Sequence, residues 1–188
     1  MKNKQYIFCL ETNKKANTDW LYIRKILDHL NSSKQVFDKY TPLYMNGKNN
    51  YNSRFLIKNI KDSKNMYNGE SVVIYCIDLD DYNIDYKTKE FIEAVERYCD
   101  DNGYSLIYFC RNIEEVFLGK IVSKEEKVKY AIRFSKQGLI DGELLKRLNS
   151  NTKALRTSNF IMIWNKQSNK WLLHTTFVLL QPNEMFMF

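Results

Sequence analysis

Residues 70–81 read Glu70-Ser71-Val72-Val73-Ile74-Tyr75-Cys76-Ile77-Asp78-Leu79-Asp80-Asp81. From Val72 to Ile77 every side chain is apolar or aromatic and four are β-branched. The turn formers Asn68-Gly69 precede the run and an acidic cluster stops it. A run this short and this uniform reads as a strand buried on both faces, the pattern of a parallel sheet whose crossover helices cover it. Upstream, Gln5–Leu10 repeats the pattern, and downstream Tyr104–Cys110 does so again. Val36–Tyr40 reads as a further short strand. Between the strands the period changes to that of a helix. Thr18–Leu30 carries Trp20, Ile23, Ile26, Leu27 and Leu30 on one face, with Asn17 or Thr18 as its cap; Ser53 caps a second helix running to about Met66; Thr88–Cys99 ends near Asn102-Gly103. Met45–Tyr51, with Asn46-Gly47 and Asn49-Asn50, reads as a loop.

Strands alternating with helices over residues 1–120 predict an α/β fold with a mostly parallel four-stranded sheet flanked by helices. Beyond Asn112 the chain turns helical, with Ile113–Val122, Lys124–Phe134 and Gly142–Leu148. Residues 121–188 are thus expected as a mainly helical C-terminal extension packed on that core. Asn159–Trp164 and Trp171–Leu180 fit either a hairpin over Asn165–Lys170 or two short helices, and the helices are the favoured reading.

The chain's 188 residues and 22.5 kDa suffice for one domain with a sizeable core. With 44% hydrophobic, 14% aromatic and 27% charged residues, the composition excludes a disordered tail, a collagen-like fibre and a disulfide miniprotein. A net charge of +7 and a pI near 9.1 favour an anionic partner, nucleic acid first. The abundance of Asn and Lys that an AT-rich genome produces accounts for the same balance, so charge alone decides nothing. The apolar stretch Tyr6–Leu10 is too short for a signal-peptide core, and no run approaches the roughly 18 apolar residues of a membrane span. Cys9, Cys76 and Cys110 sit in strand-like runs and Cys99 on a helix, with no C-x-x-C spacing. Four reduced, buried thiols in a cytoplasmic protein are therefore expected, with no membrane partner.

The placement of carboxylates carries the functional signal. Glu11 follows the first strand, Asp78, Asp80 and Asp81 follow the third, and Glu114 and Glu115 follow the fourth. Ligands of open α/β sheets bind outside the carboxyl ends of the strands, so a parallel sheet gathers these clusters on one edge. Grouped carboxylates repel one another unless a hard cation compensates them, and Mg²⁺ or Mn²⁺ takes oxygen ligands of this kind. Alternation of an extended chain would set Asp78 and Asp80 on the same side. Singly, each feature has a plainer meaning: a solvated turn for the aspartates, and a helix N-terminus for Glu114 and Glu115. The combination is what points to a metal.

These residues resemble the Toprim fold shared by topoisomerases, bacterial primases, small maturation nucleases and OLD-type nucleases. Its pattern of a Glu closing the first strand and D-x-D closing the third is matched by Tyr6-Ile7-Phe8-Cys9-Leu10-Glu11 and by Val72–Ile77 followed by Asp78-Leu79-Asp80. The segment ending Asn17-Thr18-Asp19-Trp20-Leu21-Tyr22 and the block Asn112-Ile113-Glu114-Glu115-Val116-Phe117-Leu118 resemble the RloB-like and OLD-like branch. The resemblance spans residues 5–120 and departs at Thr12, where the family usually has Gly, and in a longer loop from Asn13 to Asn17. It implies a Toprim-like Rossmannoid core in which Asp78 and Asp80 hold Mg²⁺ or Mn²⁺. Glu11 would be a further ligand or the general acid/base, and Glu115 a further acidic ligand for which Glu114 competes. Asp19 and Asp81 are secondary candidates. The implied activity is metal-dependent cleavage of DNA or RNA, as the effector of a phage-defence or toxin system. The chain contains no G-x-x-x-x-G-K-[ST] loop, so an ABC-type ATPase would be a separate partner, again by resemblance.

Lys14, Lys15 and Arg111 lie near the expected edge and are candidates for phosphate contacts, as is Lys120. His29 and His174 have no metal-ligand neighbour at a telling spacing and read as structural or exposed. The departures at Thr12 and the loop favour a competing expectation, a catalytically silent module that binds nucleic acid or a protein. A haloacid-dehalogenase-type phosphatase is disfavoured because its aspartate pair closes the first strand, whereas about seventy residues precede Asp78.

Overall fold

The computed structural model describes residues 4–31, 39–80, 82 and 84–168. Within it, β1 (Lys4–Leu10), β2 (Lys39–Tyr44), β3 (Glu70–Asp78) and β4 (Ser105–Phe109) form one sheet in the order β2-β1-β3-β4. Every pairing is parallel, with Leu10 opposite both Tyr44 and Cys76, and Asp78 opposite Phe109. The helices are α1 (Thr18–Asn31), α2 (Arg54–Asn65), α3 (Tyr86–Asp101), α4 (Ile113–Leu118), α5 (Lys127–Gln137), α6 (Gly142–Leu148) and α7 (Phe160–Ser168). The fold is thus the expected α/β one, an all-parallel four-stranded sheet flanked by helices.

Alternation along each strand sorts the core into two layers. Tyr6, Phe8, Leu10, Ile74, Cys76, Ile107 and Phe109 face one side, where α1 and the helices after β4 cover them. Ile7, Cys9, Val73, Tyr75, Ile77 and Tyr108 face the other, under α2 and α3. This double burial is why the strands are apolar at every position rather than at every second one. Ala131 and Phe134 of α5, Leu144 and Leu148 of α6, and Phe160, Ile161 and Trp164 of α7 belong to the first layer, so residues 127–164 complete the core that β1 begins.

Local signals explain the boundaries. The Ser53 hydroxyl accepts from Leu56 N, and Asp85 caps α3 by accepting from Thr88 N, starting that helix two residues earlier than Thr88. Gly119 closes α4 in the left-handed conformation, so the helix is shorter than the expected run to Val122. α7 takes the helical option for Asn159–Trp164, while Trp171–Leu180 and His174 lie outside the described residues, as does most of Val36–Tyr40. All four cysteines are free and buried. Among the described residues, no helix is long and apolar enough to cross a membrane.

Candidate functional site

β1 and β3 are neighbours at the centre of the sheet, so the residues that follow them meet at its carboxyl edge. Glu11 Oε1 accepts from the Asp78 backbone N at 2.7 Å, and Asp78 Oδ1 accepts from Ile113 N, the first residue of α4, at 3.0 Å. Asp19, buried in the first turn of α1, accepts from Thr12 N at 3.3 Å. Glu114 is 2% exposed and meets Lys127 of α5 at 3.0 Å. Each carboxylate thus spends an oxygen on a backbone amide or a lysine, which fixes its direction.

Electrostatics ties these groups together. Burial pushes Glu11 from 4.5 up to about 8, Asp19 and Asp80 add to the rise, and the Asp78 amide and Lys48 oppose it. Asp19 is raised to about 6, by burial first and by Glu114 second. Asp78 lies well above the carboxylate range, from burial and then from Glu11, Asp19 and Glu114. Burial disfavours the charge of Lys127, but Glu114 outweighs it and holds that lysine above its ordinary value. Burial first and the neighbouring carboxylates second thus lead Glu11, Asp78 and Asp19 to share protons.

Asp80 departs from the extended-chain expectation. β3 ends at Asp78, and Asp80 has φ 44°, a left-handed turn fixed by its N–H donating to Arg111 O at 2.8 Å. Same-side alternation therefore stops before Asp80, and its side chain pairs with Lys48. Lys48 is delivered by the loop after β2, where Met45 N donates to Leu10 O and Gly47 N to Glu11 O, with Asn46 and Gly47 both at positive φ. Sequence reading found no role for Lys48 or Lys127, since one lay in a turn and the other on an ordinary charged helix. Only the topology brings them to the edge.

Glu115 faces elsewhere. Its oxygens lie 3.6 Å from Arg111 Nε and 3.7 Å from Arg156 Nε, and Asn112 both caps α4 through Glu115 N and donates to Glu115 Oε1. Of the adjacent pair, Glu114 is the one that joins the electrostatics of Asp19 and Asp78. Arg111, offered as a phosphate contact, sits at φ 64° beside Glu115. Lys14 and Lys15 are exposed on the turn before α1. Asp81 lies outside the described residues.

An all-oxygen donor set of Glu11, Asp78, Asp80 and Asp19 suits a hard divalent cation in its chemistry. Among the described residues, however, no three His, Cys, Asp or Glu side chains converge as a metal's ligands do. No known family's sequence profile matches the chain. No curated protein matches it either. A solved structure titled "De novo designed Rossmann fold protein" is similar over 71% of this chain and 99% of its own, at 9% identity and a TM-score of 0.30.

Proposed function

We propose that this chain is a Mg²⁺- or Mn²⁺-dependent nuclease hydrolysing phosphodiester bonds of DNA or RNA at the carboxyl edge of β1 and β3. The observation that supports it is the grouping of Glu11, Asp78 and Asp19 beside buried Glu114, the first three held above their ordinary pKa values by burial and then by neighbouring carboxylates. Such a group gains most from a divalent cation, which replaces the shared protons. Glu11, Asp78 and Asp80 are the residues we assign to hold it. When bound, the cation would polarise a phosphate oxygen and lower the pKa of a water. Exposed Lys14 and Lys15 would meet the anionic backbone. The Toprim resemblance supports the same reading and suggests an ABC-type ATPase as partner.

A specific observation favours a second reading. Lys48 already neutralises Asp80, and no three ligating side chains converge among the described residues. Both fit a catalytically silent module that binds nucleic acid or a protein. Plasmid, single-stranded DNA and structured RNA incubated with the purified chain and Mg²⁺ or Mn²⁺ separate the two. Cutting that disappears in Glu11→Ala and Asp80→Ala is the expected result. Retention of the polymer without cutting, unchanged in both variants, supports the silent module.

A further inference from the structure

A cavity of about 340 Å³ opens between the end of α4 and the C-terminal half of α5. This is within the usual range for small-molecule sites. Leu118 and Phe134 supply apolar wall, Tyr130 an aromatic one, and Lys120, Arg133 and Gln137 supply polar groups. Among the described residues, no carboxylate lines it. Lys120 is held in place: its Nζ lies 4.1 Å from the Tyr130 ring centroid and 2.9 Å from the phenol oxygen. Arg133 is exposed at the mouth. The apolar floor is rigid, because Phe134 packs on Tyr22 and Phe117 at 5.2 and 5.5 Å and leaves no room for a Cβ on Gly138.

Two cations beside an apolar and aromatic wall match a ligand that is anionic at one end and flat at the other. We infer that this cavity binds a nucleoside monophosphate unit, with Lys120 and Arg133 on the phosphate and the base or sugar against Tyr130, Phe134 and Leu118. Guanidinium forks suit phosphate oxygens, and Gln137 can donate to or accept from a base edge. α5 also carries Lys127, which pairs with Glu114 at the carboxylate edge. At 1.5 Å rise per residue, Tyr130 and Arg133 lie about 4.5 and 9 Å further along the helix axis. The same chemistry is offered by a free mononucleotide and by one unit of a nucleic acid chain.

Calorimetric titration of the full chain in EDTA with inorganic phosphate, adenosine, AMP and a 5′-phosphorylated tetra-deoxyadenylate tests this without any metal chemistry. The expected result is that AMP or the oligonucleotide binds more tightly than phosphate or adenosine. Binding should weaken by about tenfold or more in Lys120→Ala/Arg133→Ala, in line with the loss of charge-assisted hydrogen bonds. Tighter AMP identifies a free nucleotide as occupant, and a tighter oligonucleotide identifies a unit of a polymer. Phosphate binding as tightly as AMP, no binding by either nucleotide, or binding untouched by the double variant overturns the inference. Asp78→Asn should leave this binding unchanged, so failure of the metal reading and failure of this one are distinguishable.

Discussion

Glu114 and Glu115 are adjacent, both 2% exposed and both in the first turn of α4, yet they belong to different kinds of site. Glu115 sits between two guanidinium groups and an asparagine amide, and positive charge there matches or exceeds negative. Among the described residues, Glu114 pairs with one lysine and looks toward Asp19 and Asp78, where negative charge exceeds positive. The first arrangement holds the β4–α4 junction together. The second costs stability in the metal-free chain, because buried carboxyl groups of like charge are brought close. A buried carboxylate is thus informative only with its partners counted.

Removing charge from the two sites should have opposite consequences. Asp78→Asn takes a like charge out of the carboxylate group while keeping an acceptor for Ile113 N. The metal-free variant should melt no lower than the parent, and metal-dependent cutting should fall at least about a hundredfold, since even outer-shell changes around metals cost 10–100-fold. Glu115→Ala should instead lower stability by about 2 kcal/mol, below the usual cost of breaking a buried pair because both arginines keep contact with solvent. Denaturant titration reads that loss, and Mn²⁺ affinity should stay within a factor of about two of the parent because Glu115 is no part of the carboxylate group.

A smaller effect follows from proton linkage. Glu11 in the folded chain titrates at about 8 instead of 4.5, so between those values the folded state holds a proton that the unfolded state has released. Stability of the metal-free chain therefore falls as pH rises across that window, and Asp19, at about 6 instead of 3.8, acts in the same direction lower down. Melting temperatures from pH 5 to pH 8 in EDTA should decline, and Glu11→Gln should flatten the upper part of the slope. A rise in stability over that range would contradict the assigned burial. Smallest is Lys48→Ala, which frees a half-exposed Asp80 and should tighten Mn²⁺ binding by about threefold, the modest size expected of a solvent-screened pair; weaker binding would make Lys48 part of the site rather than a competitor for it.

The sheet was legible because β1, β3 and β4 are apolar at successive positions, which only double burial explains, and because Ser53 and Gly142–Leu148 mark helices by local rules. Glu11 and Asp78 could be placed together from the edge rule alone. What escaped depends on contacts between distant segments. Lys48 reaches Asp80 across 32 residues, and Lys127 reaches Glu114 only because α5 packs against α1 on one face of the sheet. Asp80 was assigned to the wrong continuation of the strand because its left-handed φ is set by the Arg111 carbonyl, a long-range hydrogen bond with no sequence signature. Glu114 and Glu115 cannot be ranked by a pattern, since a one-residue step around so short a helix decides which faces the edge.

Direct Mn²⁺ binding to the purified chain, at pH 8 and at pH 5.5, tests the central claim with Asp78→Asn and Glu115→Gln measured alongside. The account predicts binding at pH 8 that weakens at pH 5.5, where protons reoccupy Glu11, that is lost in Asp78→Asn and that is retained in Glu115→Gln. No binding at pH 8, or binding indifferent to Asp78→Asn, would contradict it.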